Sequence, residues 1–234
     1  MKGHAFQLAG QEAVADFAGA LYLRAFDALI VSDLHFEKGS AFARKGQMLP
    51  PYDTRATLAK LSDVIARYQP ACVIALGDSF HDLGAAERMA AEDIAAIRTL
   101  VRERSRWVWI EGNHDPEPPE ELGGEVLHEL RLGELVLRHE PVSGEGYGEI
   151  CGHLHPCAKV RGQGRSVRRF AFATNGKRLI MPAFGAYTGG LNVCDDAITS
   201  VFGSVPDVLM LGRDKVHAVP AGRLVPDRYK TSAT

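Results

Sequence analysis

No stretch of this chain stays apolar for anything near the ~20 residues that a membrane-crossing helix needs. The N-terminal Met-Lys-Gly-His-Ala-Phe-Gln has none of the continuous apolar core of a signal peptide. A cytoplasmic protein without membrane contact is therefore the expectation. Neither sign of charge dominates, since 27 Lys and Arg stand against 29 Asp and Glu for a formal charge of −2. That excludes a protein coating nucleic acid through overall basicity, though not a local basic surface. Cysteine is scarce. The four present, Cys72, Cys151, Cys157 and Cys194, form no CxxC pair, so inert thiols in reducing surroundings are expected. Cys151 and Cys157 bracket two histidines, and zinc ligation by them is the weaker reading. Repeats and low-complexity segments are absent too. What remains is ordinary globular composition, 46% hydrophobic over 234 residues, enough for one sizeable α/β domain.

Apolar periodicity places the elements. Ala28-Leu-Ile-Val-Ser32 is a β-like run ending just before Asp33. Asp53-Thr54 can cap a helix in which Leu58, Leu61, Val64 and Ile65 keep helical spacing, ended by Pro70. Residues 71–76 and 107–110 are continuous apolar runs, the pattern of strands covered on both faces. Between them a helix is predicted from Ala85 to Glu103, with Met89, Ile94, Ile97, Leu100 and Val101 inward. Beyond the Pro-rich break at 116–119 the pattern turns to strands. A hairpin of residues 125–131 and 134–138 turns about Leu132-Gly133, and strands follow near 148–151, 167–173, 177–181 and 191–193. A single domain over 1–234 is expected, with a tail loosely packed from about residue 220.

Five polar clusters follow these runs: Asp33-Leu-His35, Gly77-Asp78, Gly112-Asn113-His114-Asp115, His139 and Gly152-His153-Leu-His155. They collect where strands end, which in open α/β sheets is where ligands bind. Their carboxylate, amide and imidazole groups, with no thiolate, suit divalent ions such as Mn, Fe or Zn. The DxH and HxH spacings point away from regular helix, whose i and i+2 residues diverge. Strand ends or loops let alternate side chains share a side. Each position alone reads equally well as a turn or cap; all five in order read as a two-metal hydrolytic site. His139, at a strand end before Glu-Pro, is preferred to His128 for the fourth cluster. His4 and His217 read as surface residues, and His81, three residues beyond Asp78, stays open.

In order and content the clusters resemble the calcineurin-like metallophosphoesterase signature, DxH, GD, GNH(D/E), H and GHxH. The resemblance implies an α/β fold, a four-layer α/β/β/α sandwich in one domain. It assigns one metal to Asp33, His35, Asp78 and His155 and the other to Asp78, Asn113, His139 and His153, with Asp78 bridging. It implies a phosphoesterase in which a metal-bridging hydroxide attacks in line. Two divalent cations against two carboxylates leave a surplus charge that hydroxide and phosphate would neutralise. His114, not a ligand in the family, would protonate the leaving oxygen, with Asp115 orienting its imidazole. Protein phosphatases of this fold carry GDxVDRG; here Gly77-Asp78-Ser-Phe-His81-Asp82-Leu-Gly84 has no Arg, which argues against phosphoprotein substrates.

The flanks Asp33-Leu-His-Phe-Glu37-Lys38-Gly39, Leu49-Pro-Pro-Tyr-Asp53-Thr54, Gly77–Asp82 and residues 182–192 resemble the bacterial DNA-ligase-associated metallophosphoesterase family over about residues 20–195. That likeness implies a Mn-dependent phosphodiesterase or endonuclease in DNA repair, with Fe and Zn also compatible. DNA or another phosphodiester would be its substrate, and an ATP-dependent DNA ligase, a helicase and an exonuclease its functional companions. A small-molecule phosphatase, a cyclic-nucleotide phosphodiesterase and a non-catalytic scaffold are the alternatives. From Ala158 to Cys194 no acidic residue occurs, while Lys159, Arg161, Arg165, Arg168, Arg169, Lys177 and Arg178 do. Backbone contact through Arg168 and Arg169 is expected from that contrast, with Lys38 as a further substrate contact. Phe170 and Phe172 read as core, although aromatics of this stretch could also stack on bases.

Overall fold

In the computed structural model, residues 3–47, 49–50, 52–115, 119–144 and 146–227 are described. The chain first builds a seven-stranded sheet in sequential order: β1 (His4–Leu8), β2 (Gln11–Ala15), β3 (Leu21–Leu23), β4 (Ala28–Val31), β5 (Cys72–Leu76), β6 (Arg106–Ile110) and β7 (Glu125–Leu127). Strands β1 to β4 pair antiparallel, and β4 to β7 parallel. The parallel crossovers carry α1 (Lys38–Arg44), α2 (Asp53–Tyr68), α3 (Ala85–Arg88) and α4 (Ala91–Arg102).

A second sheet follows, from β8 (Glu129–Leu132), β9 (Leu135–Arg138), β10 (Glu149–Cys151), β11 (Pro156–Gly162), β12 (Arg165–Thr174), β13 (Leu179–Ile180) and β14 (Leu191–Asn192). Then come α5 (Asp196–Phe202), β15 (Asp207–Leu211) and β16 (Val216–Val219). Its strand order is β14-β11-β12-β13-β10-β9-β8, with β15 added along the second half of β12 and β16 along β15.

The period-two alternation of the central strands explains the layering. Ile30, Ile74, Leu76, Val108 and Ile110 face the second sheet, where they meet Leu135, Leu137, Ile150 and Phe172. The intervening Leu29, Val31, Val73, Ala75, Trp107 and Trp109 face α2 and α4, against Leu58, Leu61, Val64 and Ile97. The outer face of the second sheet buries Ala171, Ala173 and Val208 against Ile198 of α5. Strands apolar on both faces are thus sandwiched twice, giving the four layers α/β/β/α in one domain. Among the described residues, no helix is long and apolar enough to cross a membrane.

Several elements differ from the sequence reading. The helix predicted over 85–103 is broken at Met89-Ala90, both extended with ψ of 138° and 143°. Burial of Met89 in the helix-facing core holds the break, and Glu92 and Asp93 favour a new N-terminus just after it. The strand predicted over 125–131 divides at His128, because β7 closes the edge of the first sheet while β8 opens the second. Asp53 and Thr54 do not cap their own helix. Asp53 accepts from Gly39 N at 2.9 Å, and Thr54 Oγ1 binds both Glu37 N and Glu37 Oε1 at 2.9 Å. The pair fixes the entry to α1 instead. Where a loose tail was expected from about 220, residues 221–223 form a 3₁₀ turn and Val225 N donates to Lys159 O at 2.9 Å. The side chain of Asp227 pairs with Arg168, while residues 228–234 lie outside the described residues.

Candidate metal centre

Five segments converge where strands of the two sheets end. From the first sheet, β4 leads into Asp33, β5 into Asp78 and β6 into Asn113; from the second, β9 leads into His139 and β10 into His153 and His155. Their placement relies on unusual backbone. Asp33, His35, Asp78, His153 and His155 all adopt the left-handed region, with φ between 45° and 67°. Alternate side chains therefore converge from left-handed turns, not from the extended strand ends that the spacing suggested. Asp and His tolerate this region better than most residues, yet each such position costs on the order of 1 kcal/mol or more. Cross-links between loops hold them there. Asp33 N donates to Gly77 O at 3.2 Å, His35 N to Asp78 O at 2.9 Å, and Gly152 N to His139 O at 2.9 Å.

Two clusters of ligand atoms result, each with its atoms within 4.8 Å of one another: Asp33, His35 and His155, and Asp78, His139 and His153. Asp78 links them. Its Oδ2 lies 3.4 Å from His139 Nε2 and 4.0 Å from both His35 Nε2 and His114 Nε2. Asn113 Oδ1 lies 3.0 Å from His139 Nε2, which places the amide in the second cluster. All seven ligand residues named by the resemblance thus meet.

The glycines of the motifs make this convergence sterically feasible. A Cβ on Gly112 would collide with Asp78 N and Asp78 Oδ1, and would sit 2.5 Å from Asp115 Oδ1. On Gly152 it would collide with Ser32 Oγ and come within 2.7 Å of Asp33 Oδ2. Each glycine leaves room for a carboxylate from another motif.

Donor chemistry and orientation fit divalent cations. His139 Nδ1 donates to Leu76 O at 3.1 Å and His155 Nδ1 to Gly189 O at 3.1 Å. A carbonyl only accepts, so it fixes the tautomer and presents Nε2 to the centre. His155 Nε2 is buried without a hydrogen bond, although Asp33 Oδ1 is 3.0 Å away. Two ligand atoms so close and so misaligned suit a shared cation better than each other. Burial pushes His35 down to about 3 against the opposing pull of Asp33 and Asp78, and burial beside His139 lowers His153. Burial opposes ionisation of Asp33 and Asp78, but the surrounding imidazoles outweigh it and hold both carboxyls low. His139 is also disfavoured by burial, yet its hydrogen bond to Asp78 and two carboxylates raise it to about 9. Anionic oxygens and neutral imidazoles are the ligating forms, so Asp33, Asp78, His35 and His153 are poised to ligate, whereas His139 must give up a proton to a cation that replaces it beside Asp78.

Around this core the sequence-derived roles separate. His114 is 43% exposed, donates its Nδ1–H to His81 O at 3.0 Å and directs Nε2 towards Asp78. Asp115 does not orient that imidazole. Its carboxylate is buried and accepts from Phe80 N at 3.0 Å, where desolvation pushes it up to about 8. His81, left open by the sequence, stacks on His114 with ring centroids 5.5 Å apart and meets His35 edge-on at 5.6 Å. Lys38 opens α1 half-buried; burial lowers its pKa against the attraction of Asp33, Asp53 and Asp78. His128 lies apart, exposed and paired with Glu111.

The basic stretch is less uniform than its sequence. Arg178 is buried, held by Glu149, Val142 O and Val201 O, and contributes nothing to the surface. Arg168 pairs with Asp227 at 3.1 Å and donates to Gly190 O at 2.6 Å, next to the Gly189 carbonyl that holds His155. Arg169 is exposed and donates to Arg168 O at 3.1 Å. Phe172 and Phe184 are fully buried, whereas Phe170 is partly exposed.

Among curated proteins no match to the sequence is found. Among solved structures, the Pseudomonas putida nuclease MPE matches at TM-score 0.71 and 26% identity, covering 93% of this chain and all of that one. With the phosphoesterase Yfce from E. coli the TM-score is 0.42 at 14% identity, over 83% of this chain and 98% of that one, too weak to carry weight. A model of the calcineurin-like phosphoesterase family matches residues 26–181, about two-thirds of the chain and every one of the five motifs, so the chain belongs to that family and is a metal-dependent phosphoesterase.

Proposed function

We propose that this protein is a two-metal phosphodiesterase acting on nucleic acid, DNA first, with Mn as the preferred ion. The placement of Asp78 Oδ2 between the two ligand clusters carries the two-metal reading. Asp33, His35, Asp78 and His155 would hold one cation, and Asp78, Asn113, His139 and His153 the other. When bound, the pair supplies a water ionised near neutrality and a clamp for the charge developing on the phosphoryl oxygens. His114 reaches solvent beside them with its Nδ1–H held by the His81 carbonyl, so its Nε2 would hand a proton to the leaving oxygen from the imidazolium form, leaving the neutral Nδ1–H tautomer. Asp115 supports this from a distance: by accepting Phe80 N it fixes the loop that carries Asp78 and His81.

A phosphoprotein substrate fits poorly, because the loop after Asp78 offers His81 and Asp82 where a phosphoryl-gripping Arg would stand. The nucleic-acid substrate draws support from the full-length likeness to a nuclease. The DNA-repair setting, with a ligase, a helicase and an exonuclease as companions, rests on the motif flanks around Asp33, Asp78 and residues 182–192. Mn-loaded protein should be offered an aryl phosphodiester, an aryl phosphomonoester, a cyclic nucleotide and DNA. Cleavage of the diester and of DNA, without monoester turnover, is the expected pattern. Robust monoester turnover without diester cleavage overturns the proposal.

A further inference from the structure

The tip of the β11–β12 hairpin forms, with the 220–223 turn, a groove of about 520 Å³. Val160, Val167 and Pro220 supply apolar lining, while Arg161, Arg165 and Arg223 bring guanidinium groups, and among the described residues no acidic one lines it. Arg165 and Arg223 are exposed and make no ion pair with any described residue. Nearer the metal centre the hairpin is different, because Lys159 and Arg168 are both engaged by Asp227. Near the centre Lys159 and Arg168 thus share one carboxylate, whereas at the tip Arg165 and Arg223 are left open, beside a valine 46% exposed on a strand.

A surface with open cations and an apolar floor matches a chain that alternates phosphates with flat apolar faces. The cavity beside Asn113 and His139 differs, because Glu111 and Glu140 line it together with Arg138 and His128, so its charge is mixed where that of the groove is of one sign. β11 starts immediately after His155, and its six residue steps of ~3.3 Å place the tip about 20 Å away. A small diester bound at the metals cannot span that distance, whereas a polynucleotide can. The tail does not compete as an occupant by charge, since residues 228–234 contain Arg228 and Lys230 and no acid.

We propose that the groove of Arg161, Arg165 and Arg223 is a docking surface for a single nucleic-acid strand running from the metal centre along the β11–β12 hairpin. This rests on the nucleic-acid reading above, and deepens it by assigning an exosite and a direction. The test compares wild type with an Arg161→Ala, Arg165→Ala, Arg223→Ala variant and with the corresponding triple Lys variant. Anisotropy of a fluorescent oligonucleotide, single-stranded and as a duplex, is followed against salt in chelator, and turnover of an aryl diester is measured with Mn. Three lost phosphate contacts at ~0.7 each should flatten the salt dependence of the triple Ala variant by about 2. Affinity at low salt should drop roughly tenfold or more, largely restored by Lys, with diester turnover unchanged. Unchanged affinity and slope overturn the groove, as does a loss confined to duplex DNA. Absence of diester turnover in wild type would instead fail the phosphodiesterase reading, so the two failures are distinguishable.

Discussion

Gly152→Ala is the sharpest steric probe of the centre. Gly152 has no left-handed φ, so alanine meets no backbone penalty there; only the added methyl matters. That methyl collides with Ser32 Oγ and sits 2.7 Å from Asp33 Oδ2 and 3.3 Å from Leu76 O. Asp33 is fully buried, accepts Ser32 Oγ at 2.5 Å and faces His153 N at 3.2 Å. It cannot retreat without losing charge-assisted hydrogen bonds worth ~1.5–3 kcal/mol each. Overpacking alone costs ~1–3 kcal/mol, so a net loss of about 2–4 kcal/mol is expected, about 5–12 °C in Tm for a chain of this length. Displacement of a ligand oxygen by even ~1 Å should cut turnover about a hundredfold. Gly162→Ala is the matched control, as nothing lies within 4 Å of its added methyl and its φ is ordinary. Thermal unfolding, metal titration and diester turnover are compared across the pair. If Gly152→Ala keeps wild-type Tm, metal affinity and rate, the packing of Asp33 against that glycine is not what builds the centre.

Lys60 supplies a pH test away from the metals. Burial pushes its pKa down to about 8, only partly offset by Asp16, while its ammonium donates to Phe184 O at 2.9 Å. Its native pKa lies below the unfolded value of ~10.4, so the unfolded chain binds more protons between those limits. The full cost, about 3 kcal/mol, is present below pH 8 and fades as pH rises towards 10.4. Denaturant unfolding of wild type relative to Lys60→Met should therefore improve across that window; a pH-independent difference contradicts the burial. Arg168→Ala and Asp227→Asn test the link from the hairpin to His155. Loosening of Gly189-Gly190 should weaken metal affinity about tenfold, the usual effect of losing an outer hydrogen-bond partner, with KM for a small diester little changed. If metal affinity holds and only DNA binding falls, Arg168 is a backbone contact and not a positioning residue.

The fold was legible where strands are apolar on both faces. Residues 28–31, 72–76 and 107–110 alternate between two cores, and that double burial leaves a continuous hydrophobic run in the sequence. The motifs marked where those strands end, and so the meeting of the ligand set was legible too. The rest was set by tertiary contacts that no local pattern carries. β15 sends Leu209 to the core between the sheets and Val208 and Met210 to the outer one, while α5 buries Ile198 alone; such short runs carry a signal too brief to separate from loop. The division at His128 is a choice of sheet edge, and the break at Met89-Ala90 answers to the core beneath it. Asp115 was misread because adjacency to His114 in sequence suggests partnership, whereas the chain turns its carboxylate to the Phe80 amide. Arg168 and Arg178 looked alike in a basic stretch; one is tied to Asp227 and Gly190, the other is buried against Glu149.

Anomalous diffraction from Mn-soaked crystals tests the central claim most directly. Two peaks per chain are expected, one among Asp33, His35 and His155, the other among Asn113, His139 and His153, with Asp78 between them. A single peak, or two that do not share Asp78, contradicts the two-metal account.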